Sequence, residues 1–384
     1  MKIKLLKKIA KVGTDAFDPA VYEVSDAVVG ADAILVRSAS MHDMAFEPEL
    51  LAIARAGAGV NNIPVDKCAE EGIVVFNTPG ANANGVKELA ICALFLASRN
   101  VVGGANWAQT LTTDVAKQVE KGKSAFAGCE IAGKTLGVIG LGAIGRLVAN
   151  AAVSLGMKVV GCDPFLSKEA AKLLDPAVVT VASFDEVYAA ADYLTLHVPA
   201  TKDTKNMISE GSIAKMKAGV RILNLARADL VCAADVKAAL AEGKVAAYVT
   251  DFPTEDVLGT EGILAIPHLG ASTEESEDNC AMMAGAQTVD FLENGNIKNS
   301  VNYPAVNMGV KTGFRVCVCH KNVPNVIATL SGLVSAEGVN IDHLASGSRG
   351  EYAYTILELN APISADAVAK MQAADGIIRV RTIA

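Results

Sequence analysis

The 384-residue chain has no block of basic residues, no low-complexity tract and no short-period repeat. Its 34 basic and 42 acidic residues are dispersed and sum to −8, so no stretch is suited to track a phosphate backbone, and no nucleic-acid partner is expected. A secretory signal is also missing: Met1-Lys2-Ile3-Lys4-Leu5-Leu6-Lys7-Lys8 interleaves lysines with apolar residues and reads as a strand. The most apolar stretch, Leu89 to Ala97, is too short to cross a bilayer, so no membrane partner is expected and the placement implied is cytoplasmic. The cysteines (Cys68, Cys92, Cys129, Cys162, Cys232, Cys280, Cys317, Cys319) are scattered, with no CxxC and no disulfide-like framework, and read as reduced core residues. Cys317 and Cys319 would share one strand face with His320 on the other, so no metal site is expected.

What is present is a globular composition, 51% hydrophobic and 20% charged, enough for two or three domains. Short apolar runs alternate with Ala-rich helical segments: Ala33 to Val36, Ile73 to Phe76, Lys134 to Ile139, Lys158 to Gly161, Tyr193 to Val198, Arg221 to Leu225, Ala246 to Thr250 and Ile263 to Pro267. That alternation predicts an α/β chain with doubly wound parallel sheets. Long helices are predicted over Val86 to Arg99 and Ser272 to Glu293. The nucleotide motif starts only near Gly140, so a first sheet precedes it and the chain after Ser272 returns to that sheet. The predicted division is 1–94 with 274–304, then 95–273, then 312–384, with Asn299 to Thr312 as a linker. The tail reads βαββαβ: Phe314 to Cys319, Val326 to Glu337, Ile341 to Ser346, Tyr352 to Leu359, Ala365 to Ala374 and Ile377 to Thr382.

Gly140-Leu141-Gly142-Ala143-Ile144-Gly145 follows an apolar strand and opens into a helical stretch. The first glycine permits a tight turn, the second lets a pyrophosphate approach the backbone, and the third packs helix against strand, with the helix N-terminus facing the anion. Asp163 closes the next strand, where a carboxylate accepts hydrogen bonds from ribose hydroxyls and repels a 2′-phosphate; the cofactor implied is NAD.

Converting a hydroxy acid to a keto acid needs a hydride acceptor, a base at the hydroxyl and a cation for the carboxylate. Arg227 and His268 each follow an apolar strand, at the end where ligands of open α/β sheets bind. Glu255 lies in the loop after Asp251, where it can hydrogen-bond His268 and raise its pKa. Singly, each also reads as a surface arginine, a satisfied histidine or a solvated glutamate. His197 is read as lining the cofactor cleft, and His42 and His343 as incidental.

Through Gly137-Val138-Ile139-Gly140-Leu141-Gly142-Ala143-Ile144-Gly145, Leu196-His197-Val198-Pro199, Asn224-Leu225-Ala226-Arg227 and Pro267-His268-Leu269-Gly270, the sequence resembles the D-isomer-specific 2-hydroxyacid dehydrogenases over nearly its whole length. The resemblance implies a flavodoxin-like substrate domain and a Rossmann NAD domain. It implies Arg227, Glu255 and His268 as the catalytic set, with Ala143, Ile144, His197, Pro199 and Ala226 beside the cofactor and Asp251 on its carboxamide. Val36-Arg37-Ser38, Ala54-Arg55-Ala56-Gly57, Phe76-Asn77-Thr78-Pro79 and Asp251-Phe252-Pro253-Thr254-Glu255 narrow the implied substrate to D-3-phosphoglycerate, oxidised at the first step of L-serine formation. Arg37, Ser38 and Asn82 map onto substrate contacts, the backbone at Ala58-Gly59-Val60 onto the carboxylate, and Arg37 and Arg55 are plausible phosphate ligands. Glycerate, lactate or 2-hydroxyglutarate on the same machinery, or an NAD-sensing protein without turnover, are the alternatives.

The tail resembles an ACT domain, which implies an amino-acid effector, L-serine, at His320, Asn322 and Asn340. The family also implies a homodimer through the nucleotide domains, joined into a homotetramer by the tails. Three positions depart from the family's habit: Asn325 and Ala228 where glycine is usual, and Asn61 where aspartate is common.

Overall fold

The computed structural model describes residues 1–384. The chain forms two compact units, Met1–Asn82 with Glu277–Ala384, and Ala83–Ser276.

In the first unit, β1 (Lys2–Leu6), α1 (Lys11–Thr14), β2 (Glu23–Ser25), β3 (Ala33–Val36), β4 (Ala52–Arg55), α2 (Val65–Glu70) and β5 (Val74–Phe76) build a parallel sheet of order β2-β1-β3-β4-β5. Covered on both faces, the sheet buries every residue of its central strand β3 and of its edge strand β5, and both are apolar throughout.

The second unit holds α3 (Ala83–Ser98), α4 (Val101–Ala108), α5 (Val115–Gly122), β6 (Thr135–Ile139), α6 (Ala143–Ser154), β7 (Lys158–Cys162), α7 (Lys168–Ala171), β8 (Val178–Thr180), α8 (Phe184–Ala190), β9 (Tyr193–Leu196), α9 (Glu210–Lys215), β10 (Val220–Asn224), α10 (Ala233–Ala241), β11 (Val245–Thr250) and β12 (Ile263–Ala265). Its parallel sheet runs β12-β11-β10-β9-β6-β7-β8, so the order reverses beside β6, the strand that carries the glycine motif. A reversal of this kind opens a crevice at the carboxyl ends of the strands. The divisions fall at 82/83 and 276/277, not at 94/95 and 273/274, because α3 belongs with the second sheet: Ala90, Ala93 and Leu94 share a core with Leu136, Val138 and Leu223. No single helix is long and apolar enough to cross a membrane.

Helix α11 (Glu274–Asn294) leads back to the first unit, followed by β13 (Phe314–Lys321), α12 (Val326–Ala336), β14 (Ile341–Arg349), β15 (Tyr352–Leu359), α13 (Ala365–Gln372) and β16 (Ile377–Ile383). These four strands form an antiparallel sheet of order β14-β15-β13-β16. Val316, Val318, Leu357 and Leu359 face Leu330, Val334 and Met371 of the helices. Cys317, Cys319, Tyr354 and Ile356 project to the other side, into a core with Phe291, Leu292 and Tyr303. The tail thus has its own core but also packs on the rest of the first unit, to which it belongs.

The first half of the stretch read as a linker, 299–306, is largely buried and hydrogen-bonded to the first sheet, while most of 307–312 is exposed. Val301 N–H donates to Val75 O at 2.9 Å, Asn302 Oδ1 accepts from Val75 N–H (2.9 Å) while its Nδ2 donates to Ile73 O (2.8 Å), and Tyr303 OH donates to Ala69 O (2.7 Å). The edge of β5 is satisfied by an irregular segment from far along the chain, which has no periodicity to reveal it.

Candidate active site

In the second unit the turn after β6 is built for close approach. Gly140 has φ +88°, and a Cβ there would stand 2.6 Å from His197 O; at Gly145 it would stand 1.9 Å from Gly140 O. Nothing obstructs the space above Gly142, and no side chain caps the first turn of α6, whose amides lack intrahelical partners. Asp163 accepts from Leu141 N–H and Phe165 N–H, both at 2.9 Å, which ties the end of β7 to this turn.

His197, at the end of β9, shares a 2.9 Å hydrogen bond with Thr195 through Nε2, while its buried Nδ1 has no partner. Burial lowers its pKa to about 4, so the ring is neutral at physiological pH. Pro199 is exposed, its carbonyl accepting from Thr204 Oγ1 at 2.6 Å.

Arg227 follows β10 on a turn set by the buried Asn224, whose Nδ2 donates to Arg227 O (2.8 Å) and whose Oδ1 accepts from Ala226 N–H (3.2 Å). The exposed guanidinium donates to Ala226 O (2.6 Å) and lies 5.5 Å from the centre of the Phe252 ring. The Phe252 and His268 rings are 4.4 Å apart, so cation and imidazole both pack against one phenyl group. Asp251, 1% exposed, accepts from Gly270 N–H at 3.3 Å through Oδ2, and its Oδ1 has no partner. Burial raises the pKa of Asp251, opposed by the charges of His268 and Arg227 and the Gly270 bond.

The hydrogen bond expected between Glu255 and His268 is absent. Glu255 is exposed and unbonded on a loop whose local contacts are Thr254 Oγ1 to Asp256 and Val257 N–H to Thr254 O (3.1 Å). Ala228 opens a short 3-10 turn with φ outside the left-handed region, so alanine fits where glycine is habitual.

The first unit gathers Arg37, Ser38, Arg55, Ala58 and Gly59 in the loops after β3 and β4, with Asn82 closing its first segment. Arg55 Nε donates to Arg37 O (3.1 Å) and a terminal nitrogen donates to Gly59 O. Asn77 Nδ2 donates to Ala58 O (2.6 Å), Thr78 N–H to Gly57 O (3.1 Å), and a ring nitrogen of His42 to Asn61 O (2.9 Å). With its carbonyls engaged, this loop leaves the N–H groups of Ala58, Gly59 and Val60 without acceptors. Arg55, expected as a phosphate ligand, is here engaged with two carbonyls of these loops. Arg37 meets Glu277 at 2.6 Å, and Ser38 is exposed.

Buried side-chain polar atoms without a partner include Asn62 Oδ1 beside the anchored loop of the first unit, and His197 Nδ1 and Asp251 Oδ1 at strand ends of the second; Thr78 bonds the Cys280 thiol. Buried polar groups are normally satisfied, so such orphans suit ligand atoms. His197 and Asp251, with the uncapped helix and open glycine turn, fit a dinucleotide in the second unit.

In the tail, His320, Asn322, Asn325 and Ser346 line a cavity of about 440 Å³. His320 Nδ1–H donates to Lys321 O (2.7 Å) and Nε2 accepts from Thr355 Oγ1 (2.9 Å), so both nitrogens are engaged, and burial lowers its pKa. Asn325 has φ +69°: asparagine tolerates the left-handed conformation for which glycine is usual. Asn340 lies apart from this cavity, donating to Asp342 Oδ1 (2.8 Å).

Asn224, Phe252, Thr195, Asn62, Thr78 and Glu277 were missed as site-forming residues. Asn224, a polar residue ending an apolar strand, offered a signal; Glu277, one acid among several on a helix, offered none.

Residues 92–270 match the sequence model of the D-isomer specific 2-hydroxyacid dehydrogenase NAD-binding domain. The solved NAD+-bound 3-phosphoglycerate dehydrogenase of Entamoeba histolytica is 30% identical, with TM-score 0.61 over 79% of this chain and 98% of that one. This chain belongs to the D-isomer specific 2-hydroxyacid dehydrogenases, and its second unit carries the family's NAD-binding domain. Among curated relatives, the D-3-phosphoglycerate dehydrogenases of Archaeoglobus fulgidus and Mycobacterium tuberculosis are 35% and 34% identical over 72% and 89% of this chain. The chain spans 52% and 66% of those relatives' own lengths. A D-2-hydroxyisocaproate dehydrogenase, 21% identical with TM-score 0.65, shares the fold.

Proposed function

We propose that the protein is an NAD-dependent dehydrogenase that oxidises D-3-phosphoglycerate to 3-phosphohydroxypyruvate, the first step of L-serine formation. The observation that carries the reaction type is the grouping of Arg227, Asp251 and His268 around Phe252, in the unit that carries the open glycine turn. NAD, when bound, would supply the acceptor for the hydride leaving C2. His268 removes the hydroxyl proton and Arg227 grips the carboxylate and the oxygen at C2. Asp251 Oδ1 would hold the carboxamide of the cofactor, Asp163 its ribose hydroxyls and the first-turn amides of α6 its pyrophosphate. The Ala58 to Val60 amides and Arg37 are assigned to the anionic ends of the substrate, with Ser38 and Asn82 as further contacts. Glu255 is the free carboxylate assigned to His268 once substrate is bound, since catalytic hydrogen bonds often tighten only in the complex.

The identities of the relatives support phosphoglycerate as substrate. The Arg37–Glu277 pair favours a second reading, an unphosphorylated D-2-hydroxy acid, because it places an acid against the phosphate ligand. The tail cavity is assigned to an amino-acid effector, L-serine, and the homo-oligomer to pairing through nucleotide domains and tails. The test is NADH oxidation with 3-phosphohydroxypyruvate, hydroxypyruvate, pyruvate and 2-oxoglutarate, with and without L-serine. Preference for the phosphorylated acid supports the substrate, and better turnover of another acid replaces it. No turnover of any points to an NAD sensor.

His268→Gln should lower kcat by about 10²–10⁴-fold. Glu255→Gln removes the carboxylate assigned to His268 and should lower kcat and change its dependence on pH in both directions. Unchanged pH profiles in both directions would remove Glu255 from the mechanism.

A further inference from the structure

We infer that Glu277 is a resident anion that holds Arg37 until the phosphate of a phosphorylated hydroxy acid displaces it, and that it thereby sets the charge specificity of the substrate site. This inference rests on the proposed assignment of Arg37 to the substrate phosphate.

Glu277 lies near the start of α11, with Oε1 2.6 Å from Arg37 Nη2. The two side chains are 41% and 40% exposed, so the contact is open to a solute. Arg55 engages the Arg37 and Gly59 carbonyls, while the Ala58, Gly59 and Val60 amides are unbonded. Arg37, Arg55 and Glu277 all act electrostatically on the Cys280 thiol, whose pKa burial raises, so the three charges are neighbours. An anion entering this loop therefore meets open amides and two cations, with one carboxylate competing for Arg37.

The competition discriminates between substrates. An exposed pair of single charges is weak and easily exchanged. A phosphate carries close to two charges and three acceptor oxygens for the planar guanidinium fork, so it can replace the carboxylate. A neutral hydroxymethyl group has nothing to offer Arg37 and leaves the pair closed.

The experiment uses the NAD-loaded full chain and inorganic phosphate as probe, titrated calorimetrically into the native protein, Glu277→Gln, Glu277→Ala and Arg37→Gln. Both Glu277 variants should bind phosphate about fivefold tighter and Arg37→Gln should lose it. The KM for 3-phosphohydroxypyruvate should fall in the Glu277 variants relative to that for hydroxypyruvate, with little change in the ratio of kcat values. Equal or weaker phosphate binding by both Glu277 variants overturns the inference. If the native protein does not turn over 3-phosphohydroxypyruvate while the Glu277 variants still gain phosphate affinity, the substrate assignment fails and the role of Glu277 stands.

Discussion

Two buried groups at the carboxyl ends of strands have pKa values moved by burial in opposite directions: Asp251 up, His197 down to about 4. Both shifts disfavour charge, as expected where protein replaces water without a full set of partners. For His197 the folded-state value lies below the ordinary 6.5, so between those values the unfolded chain binds the proton that the folded chain refuses. Stability is therefore lost as pH falls from about 6.5 through 4, by up to about 3 kcal/mol from this residue. Urea unfolding of the native protein and His197→Gln at pH 7, 6, 5 and 4 checks this: the variant should lose less stability across the range. Parallel losses would mean that His197 titrates normally. The sequence placed His197 beside the cofactor, but the burial behind its low pKa depends on the turn at Gly140 and Gly145 packing over it.

At the scale of elements, apolar strands and Ala-rich helices were legible because parallel strands buried on both faces become unbroken apolar runs. The tail was legible for the same reason, because β13 and β15 are buried on both faces and run apolar for most of their length. Short edge pieces such as β2 and β8, and the irregular segment 299–306 beside β5, carried no such pattern. Nor did the sequence single out the pair that fastens β13 to β15. Arg315, 1% exposed, meets Glu358, while its Nη1 donates to Asn294 O (2.6 Å) and Gly309 O (3.0 Å). Burial raises the pKa of Glu358, but hydrogen bonds from Thr312 and Arg315 outweigh it and hold it below the ordinary value. Glu358 thus contributes stability at neutral pH that is lost as pH falls from the ordinary carboxylate value through its lowered one. Glu358→Gln strands a buried guanidinium and should cost about 3–5 kcal/mol, whereas Arg315→Met with Glu358→Leu should recover most of that. Chemical denaturation of the three proteins distinguishes the cases, and a single variant as stable as the native protein would show that the pair is dispensable.

At the scale of the whole molecule, three sheet-based cores were legible, but the attachment of the third was not. A βαββαβ module has one face covered by its own helices. What covers the other face cannot be read from its strands, because the covering residues come from elsewhere in the chain. Here they include Phe291, Leu292 and Tyr303, while Arg381 donates to Phe291 O (2.6 Å) and Tyr354 OH to Gly295 O (2.7 Å). Such a face differs from a flexibly tethered module in what its removal does. Deleting 310–384 leaves Phe291, Leu292 and Tyr303 bare and the Gly295 carbonyl without its donor, so the remaining chain should aggregate or melt at least about 10 °C lower. A tethered module would leave the melting temperature of the remainder unchanged. Differential scanning calorimetry separates the two, because one shared transition in the full chain requires the sheet to unfold with the first unit, and an independent second transition would show that it does not.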